Sequence, residues 1–393
     1  MAIENKTSQL LQLLETASPA KSVLQTTHAD RGLADAVRFP FLALVGQAEM
    51  KTALILALVN PHVGGVLLIG PRGTGKTTAV RGLVELLPSV QRSMCPLGCT
   101  PEAAETGGMD AICPQCAQKM GYGEPLTAPD RMRLIELPLN ARLEDVIGGI
   151  SERMALEQQK IQPERGILSH ADQNLLYADE VNLLDDAVVN AILDAAAQGH
   201  YTVRRGPLAN TYRARLTLVG SMNPEEGNLR PQIMDRFGLR VVVHGLTDVQ
   251  ERLEGARWAQ AFAANRHEFA GRFAEATWQV AEEINAARER LPQVTLTPEA
   301  EQAALELVSR LQIQSLRAEI VTMQAARARA AADERDTANV ADVAAVAALA
   351  LRMRYSPFIA EYAESRQKEE ADIQQAIDAL GLPRETAPPQ DPK

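Results

Sequence analysis

Aromatic residues are scarce in this 393-residue chain, at 4% of the total. Alanine runs are frequent after residue 250, and together these features favour tightly packed helices. No run of about 18 apolar residues occurs, so no membrane-spanning helix is expected. The first residues, MAIENKTSQLLQLLE, lack the basic start and apolar centre of a secretion signal, and the expected location is cytoplasmic. There is no basic excess either: the formal net charge is −10. Proteins that live on phosphate backbones usually carry such an excess, so the balance weighs against nucleic acid as the main partner. Cysteine is limited to four residues.

What remains is ordinary globular composition, 46% hydrophobic and 23% charged, long enough for two or three domains. Residues 1–35 read as a polar extension. An α/β alternation follows over 36–247, with apolar strand-like runs at Val66–Ile69, Leu134–Leu137, Leu175–Ala178 and Leu216–Val219. Strands separated by helical stretches imply a parallel sheet flanked by helices. Beyond it the strand pattern stops. One long helical stretch is expected over 248–292, then an all-helical lid domain over 293–365, opened by Thr297-Pro298-Glu299 as a capped start. Residues 366–393, ending APPQDPK, read as a partly disordered tail.

The first chemical signal is Gly70-Pro71-Arg72-Gly73-Thr74-Gly75-Lys76-Thr77, followed by Thr78. It fits G-x-x-x-x-G-K-[ST] between a strand and an amphipathic helix. The glycines let successive N–H groups face phosphates, and the helix N-terminus adds its positive end. Lys76 is expected to reach the β- and γ-phosphates of ATP, and Thr77 to offer a hydroxyl to Mg²⁺. About a hundred residues on, LLYADE is a strand ending in two acids. Asp179 would complete the Mg²⁺ shell, and Glu180 would orient and polarise the attacking water. Asn223, at the end of the next strand, is placed to sense the γ-phosphate. Arg236, after a short helix, suits an arginine finger reaching a neighbouring subunit; a surface ion pair with Asp235 or another acid competes with that reading. Arg317 is the candidate second sensor arginine, with a structural salt bridge as its competitor.

These motifs and their order, GPRGTGKT, LLYADE, SMNPEEG, DRFG and a late LRAE, resemble the AAA+ ATPases. The finer text, including VNLLDD, NPEEGNLRPQ and DRFG, resembles the ATPase (I) subunit of magnesium chelatase over roughly residues 39–355. That resemblance implies a P-loop domain with a helical lid, working in a homo-oligomeric ring, a hexamer, with Mg·ATP at the interfaces. It further implies a partner ring subunit with a von Willebrand A-type domain and a large porphyrin-binding catalytic subunit, which together insert Mg²⁺ into protoporphyrin IX for chlorophyll or bacteriochlorophyll. Segments 139–168 and 199–206 resemble the family's inserts, which face the pore or the partner. A MoxR-like remodelling ATPase is the alternative.

The cysteines stand apart from that resemblance. Cys95 and Cys99 form C-x₃-C, and after thirteen residues Cys113 and Cys116 form C-x₂-C, in a loop spanning 92–125. Two close pairs on one loop can converge on a tetrahedral Zn²⁺. An iron–sulfur cluster and free or redox-active thiols are the other readings.

Overall fold

The computed structural model describes residues 37–150, 163–205 and 208–355, together with the single residue Gln375. The extension 1–35, most of the tail and residues 151–162 of the first insert lie outside the described residues. Among those described, no helix is long and apolar enough to cross a membrane.

The strands are β1 (Val66–Ile69), β2 (Ser89–Ser93), β3 (Thr127–Arg131), β4 (Leu134–Leu137), β5 (Gly148–Ile150), β6 (Pro163–Arg165), β7 (Leu175–Ala178), β8 (His200–Arg205), β9 (Leu208–Arg213), β10 (Thr217–Met222) and β11 (Leu239–Val242). Five of them form one parallel sheet in the order β11-β1-β10-β7-β4. Every residue of β1, β7 and β10 is buried, because helices cover both faces. This explains why those strands read as continuous apolar runs. β10, late in the chain, is inserted between β1 and β7, so the strand order reverses beside β1. In open α/β sheets ligands bind at the carboxyl ends of strands next to such a reversal. Three antiparallel ribbons sit outside the sheet: β2–β3, β5–β6 and β8–β9.

The two faces are packed differently. One is covered by α1 (Ala48–Val59), α2 (Lys76–Gly82) and the C-terminal helices, and the other by α3 (Asp186–Gln198). The stretch after β11 is not one long helix, as the sequence pattern suggests. It is three: α4 (Val249–Ala264), α5 (Arg266–Gly271) and α6 (Ala274–Arg290). The Asn265 side chain accepts from Glu268 N at 3.1 Å, ending one helix and capping the next. The turn brings Trp258, Phe262, Phe269 and Phe273 together with Phe39, with ring centroids 5.3–6.3 Å apart. A third of the scarce aromatics are therefore spent on one joint between these helices and the start of the sheet domain.

The lid contains α7 (Pro298–Arg310), α8 (Leu316–Ala332) and α9 (Val340–Leu351). Thr297 caps α7 through Ala300 N, as its sequence suggests. Seven alanines of α8 are buried, which lets neighbouring helices approach closely without large side chains. The lid is not entirely helical: Thr295–Leu296 pairs in parallel with Thr337–Ala338. Asn60, at the end of α1, donates to the backbone and side chain of Gln324 on α8, joining lid to sheet domain.

Candidate functional site: a phosphate-binding cleft

At the end of β1 the chain turns through Gly70, where a β-carbon would lie 2.2 Å from the Val243 carbonyl oxygen. Only glycine fits so close to the strand next door. Gly73 and Gly75 take left-handed φ of +79° and +85°, curling the loop before α2 begins at Lys76. The loop from Arg72 to Thr78 and the ends of β7 and β10 line one cleft, which contains Lys76, Thr77, Asp179, Glu180 and Asn223. The sheet thus gathers the motif residues at one edge.

Asp179 is the hub. Tyr177 Oη donates to its Oδ1 at 2.7 Å, Ser221 Oγ at 2.5 Å, and Thr77 Oγ1 lies 3.2 Å from its Oδ2. Lys76 Nζ donates back to the carbonyls of Gly70 at 2.6 Å and Pro71 at 2.8 Å. Burial lowers the Lys76 pKa, while the charges of Asp179, Glu180 and Glu226 act the other way. Burial raises the Tyr177 phenol, which keeps it a proton donor to Asp179. Glu180 sits at φ +50°, a left-handed conformation that costs a non-glycine residue roughly 1–2 kcal/mol. Its N–H donates to Ser221 Oγ, which anchors that turn to the neighbouring strand.

Tyr177, Ser221 and Glu226 bond to the motif residues Asp179 and Asn223, and motif reading missed them. Tyr177 and Asp179 are two apart on a strand and so share a face, which was the available signal. Glu226 accepts from Asn223 Nδ2 at 3.0 Å and pairs with Arg72 Nε at 2.5 Å, while its second oxygen is buried without a hydrogen-bond partner. Arg72 also lies 3.8 Å from Glu180. The loop's own arginine therefore bridges the two acids that flank the cleft.

The two expected arginines lie elsewhere. Arg236 pairs with Asp194 on α3 at 2.7 Å, not with the adjacent Asp235. Arg317 lies 3.9 Å from Asp235, which also receives Arg354 at 2.6 Å, Arg240 at 3.4 Å and Ser315 Oγ at 2.9 Å. Neither arginine lines this chain's own cleft. The four cysteines do converge: their sulfur atoms all lie within 4.8 Å of one another, and burial pushes the Cys99 and Cys116 thiols up.

A family model for magnesium chelatase, subunit ChlI, matches residues 41–100, and an AAA lid domain model matches 301–377. The magnesium-chelatase subunit ChlI homolog of Methanocaldococcus jannaschii is 40% identical over 323 residues, 81% of this chain and 87% of that protein. The magnesium-chelatase 38 kDa subunit of Acidiphilium rubrum is 40% identical over 294 residues, 75% of this chain and 84% of that one. The chain belongs to the magnesium-chelatase I-subunit family. An ATPase candidate from Cytophaga hutchinsonii, 19% identical with a TM-score of 0.50, covers 84% of this chain and 90% of its own, and shares the fold. The family member described here is an AAA+ ATP-hydrolysing enzyme subunit.

Proposed function

We propose that this chain is the ATP-driven motor of a magnesium chelatase-type complex. It would work as a hexameric ring on a partner with a von Willebrand A-type domain, and through it on a large porphyrin-binding subunit. The observation that carries the hydrolytic part is the hub at Asp179, a carboxylate ringed by three hydroxyls within reach of Lys76 and Glu180. Hard oxygen donors of this kind suit Mg²⁺, and Thr77 and Asp179 are the residues that would hold it. Held there, the ion would supply charge neutralisation for the phosphates.

Each protein group then has a task. Lys76 leaves the loop carbonyls to take up phosphate charge, and the curled loop supplies N–H donors. Glu180, fixed by its strained turn and by Ser221, orients and polarises the water that attacks the γ-phosphate. Asn223, held by Glu226, helps position that water. Arg236 leaves Asp194 to reach the neighbouring subunit's cleft, where it would stabilise charge developing in transfer. Arg317 joins from the lid. Nothing in this reading uses the four cysteines, whose expected Zn²⁺ is a resident ion and not the cargo of a chelatase.

The test is reconstitution. The full chain should hydrolyse Mg·ATP, co-purify from its native host with a porphyrin-binding subunit, and support ATP-dependent Mg²⁺ insertion into protoporphyrin IX. ATPase activity that never yields metalloporphyrin with those partners present would move the reading to a remodelling ATPase acting on protein.

A further inference from the structure

We propose that Cys95, Cys99, Cys113 and Cys116 form a closed structural Zn²⁺ site, and that this site clamps an ear of the sheet domain onto the foot of the β8–β9 hairpin. The ear is residues 94–126, which leave the sheet domain between the paired ends Ser93 and Thr127 of β2 and β3. Its interior is slight: Cys99, Ala104, Ile112, Cys116 and Leu126 are the buried members, and two of those five are cysteines. So small a cluster contributes little toward holding about thirty residues in place, and a metal bound by side chains from both halves of the ear would supply folding free energy.

The sulfur geometry suits one tetrahedral ion. Cys95 Sγ and Cys113 Sγ are 3.7 Å apart, and all four sulfurs lie within 4.8 Å of one another. Zn–S bonds of about 2.3 Å place thiolates about 3.8 Å apart around a tetrahedron. A disulfide needs sulfurs about 2.05 Å apart and would use only two of the four. Iron–sulfur clusters spread their thiolates over several irons, which asks for a wider nest than this one. Two backbone amides already aim at sulfur: Leu97 N at Cys95 Sγ, 3.4 Å, and Cys113 N at Cys99 Sγ, 3.3 Å. Such donors favour the thiolate that a metal requires. Cys99 and Cys116 are 3% and 5% exposed, so four thiolates would close the shell against water. A full four-thiolate shell is the structural kind of zinc site, with no position left for a substrate.

What the ion would hold is visible in the contacts of the ear. Gly98, at φ +76° between the first two cysteines, packs so closely that a β-carbon would lie 2.9 Å from Arg213 Cβ. Arg215, bonded through two nitrogens to Asp172, also donates to the Gly98 carbonyl at 3.3 Å. Arg213 donates to the Ala111 carbonyl at 3.3 Å, two residues before Cys113. The strand end and exit of the hairpin thus grip both cysteine knuckles. The ion would in turn tie those two knuckles to each other.

The full chain, purified anaerobically, should carry about one zinc per chain and be colourless. After Co²⁺ exchange it should show the intense visible absorption of tetrahedral cobalt thiolate. Displacing the metal from wild-type protein with a mercurial should release that zinc and speed amide exchange roughly tenfold or more in both 94–126 and 208–215. Exchange in β1 and β7 should be unchanged. Because it needs no variant, this measurement does not depend on whether a cysteine substitution folds. Less than about a tenth of an equivalent of any metal, with no uptake of added Zn²⁺ by the reduced protein, would overturn the site. A brown, iron-containing protein would overturn the choice of zinc. Exchange that rises in the ear but not at 208–215 would overturn the clamp.

Discussion

The nucleotide cleft draws its residues from Gly70 to Glu226, whereas the four cysteines lie between positions 95 and 116. In the cleft, strand ends brought side by side by the sheet set the geometry, so the fold makes the site. In the ear, the order is reversed. A local loop with a five-residue interior depends on what its side chains bind, so the proposed site makes the fold. Groups in the cleft should therefore be removable with loss of chemistry and little loss of structure. The ear should behave the opposite way.

Arg236 gives the largest expected effect. Its ion pair with Asp194 is partly exposed and contributes little to stability. Arg236→Ala should therefore leave the fold and ATP binding intact, while hydrolysis in the assembled ring falls by about 10³–10⁵-fold. Mixing Arg236→Ala with Glu180→Gln subunits should restore part of the rate, because an intact Glu180 can meet an intact Arg236 across an interface. No recovery in verified mixed rings would mean that Arg236 does not act between subunits. Glu180→Gln alone should lower turnover by about 10²–10⁴-fold and trap bound ATP, as read by single-turnover assays. Wild-type hydrolysis in this variant would remove Glu180 from its role.

Lys76→Ala should act on binding. Losing a partly buried cation from a phosphate site should weaken ATP by on the order of a hundredfold, measurable by calorimetry. The melting temperature without nucleotide should barely move, since among the described residues Lys76 hydrogen-bonds to the loop carbonyls of Gly70 and Pro71.

A third region sharpens the contrast. Asp235, directly before Arg236, meets Arg354 and Arg240, whose side chains are 0% and 1% exposed. Here a carboxylate joins the sheet domain to the lid. Asp235→Ala would strand two buried guanidinium groups and should cost about 3 kcal/mol in denaturant unfolding. Several carbonyls also accept from these arginines, which limits the loss. An unchanged midpoint would show that those carbonyls suffice.

The legibility of these regions follows the range of the interactions that build them. The phosphate loop is local, its glycines answer to backbone φ, and its flanking strand and helix have their own periodicity. The cysteine pairs are local too. Ser221, by contrast, enters the cleft only because β10 pairs with β7, and Arg236 meets Asp194 across 42 positions. Neither partner is visible in a linear pattern. The three-helix form of 249–290 was hidden for another reason. Alanine and charged residues read as helical throughout, and a single Asn265 cap makes the first of the two breaks. Two-residue pairing at Thr295–Leu296 is below the length at which alternation can be seen.

The smallest effect tests whether the cleft is as redundant as it looks. Tyr177→Phe removes the hydroxyl that donates to Asp179 Oδ1 at 2.7 Å and keeps the ring in the strand. Ser221 still donates to the same oxygen, and Thr77 still faces the other. The lost bond contributes about 0.5–1.5 kcal/mol, so the Mg²⁺ concentration for half-maximal hydrolysis should shift only about two- to thirteenfold. Maximal rate and ATP affinity should stay close to wild type. A collapse of hydrolysis would mean that Tyr177, and not the sheet, holds Asp179 in place. The cleft would then depend on one hydroxyl much as the ear is proposed to depend on one ion.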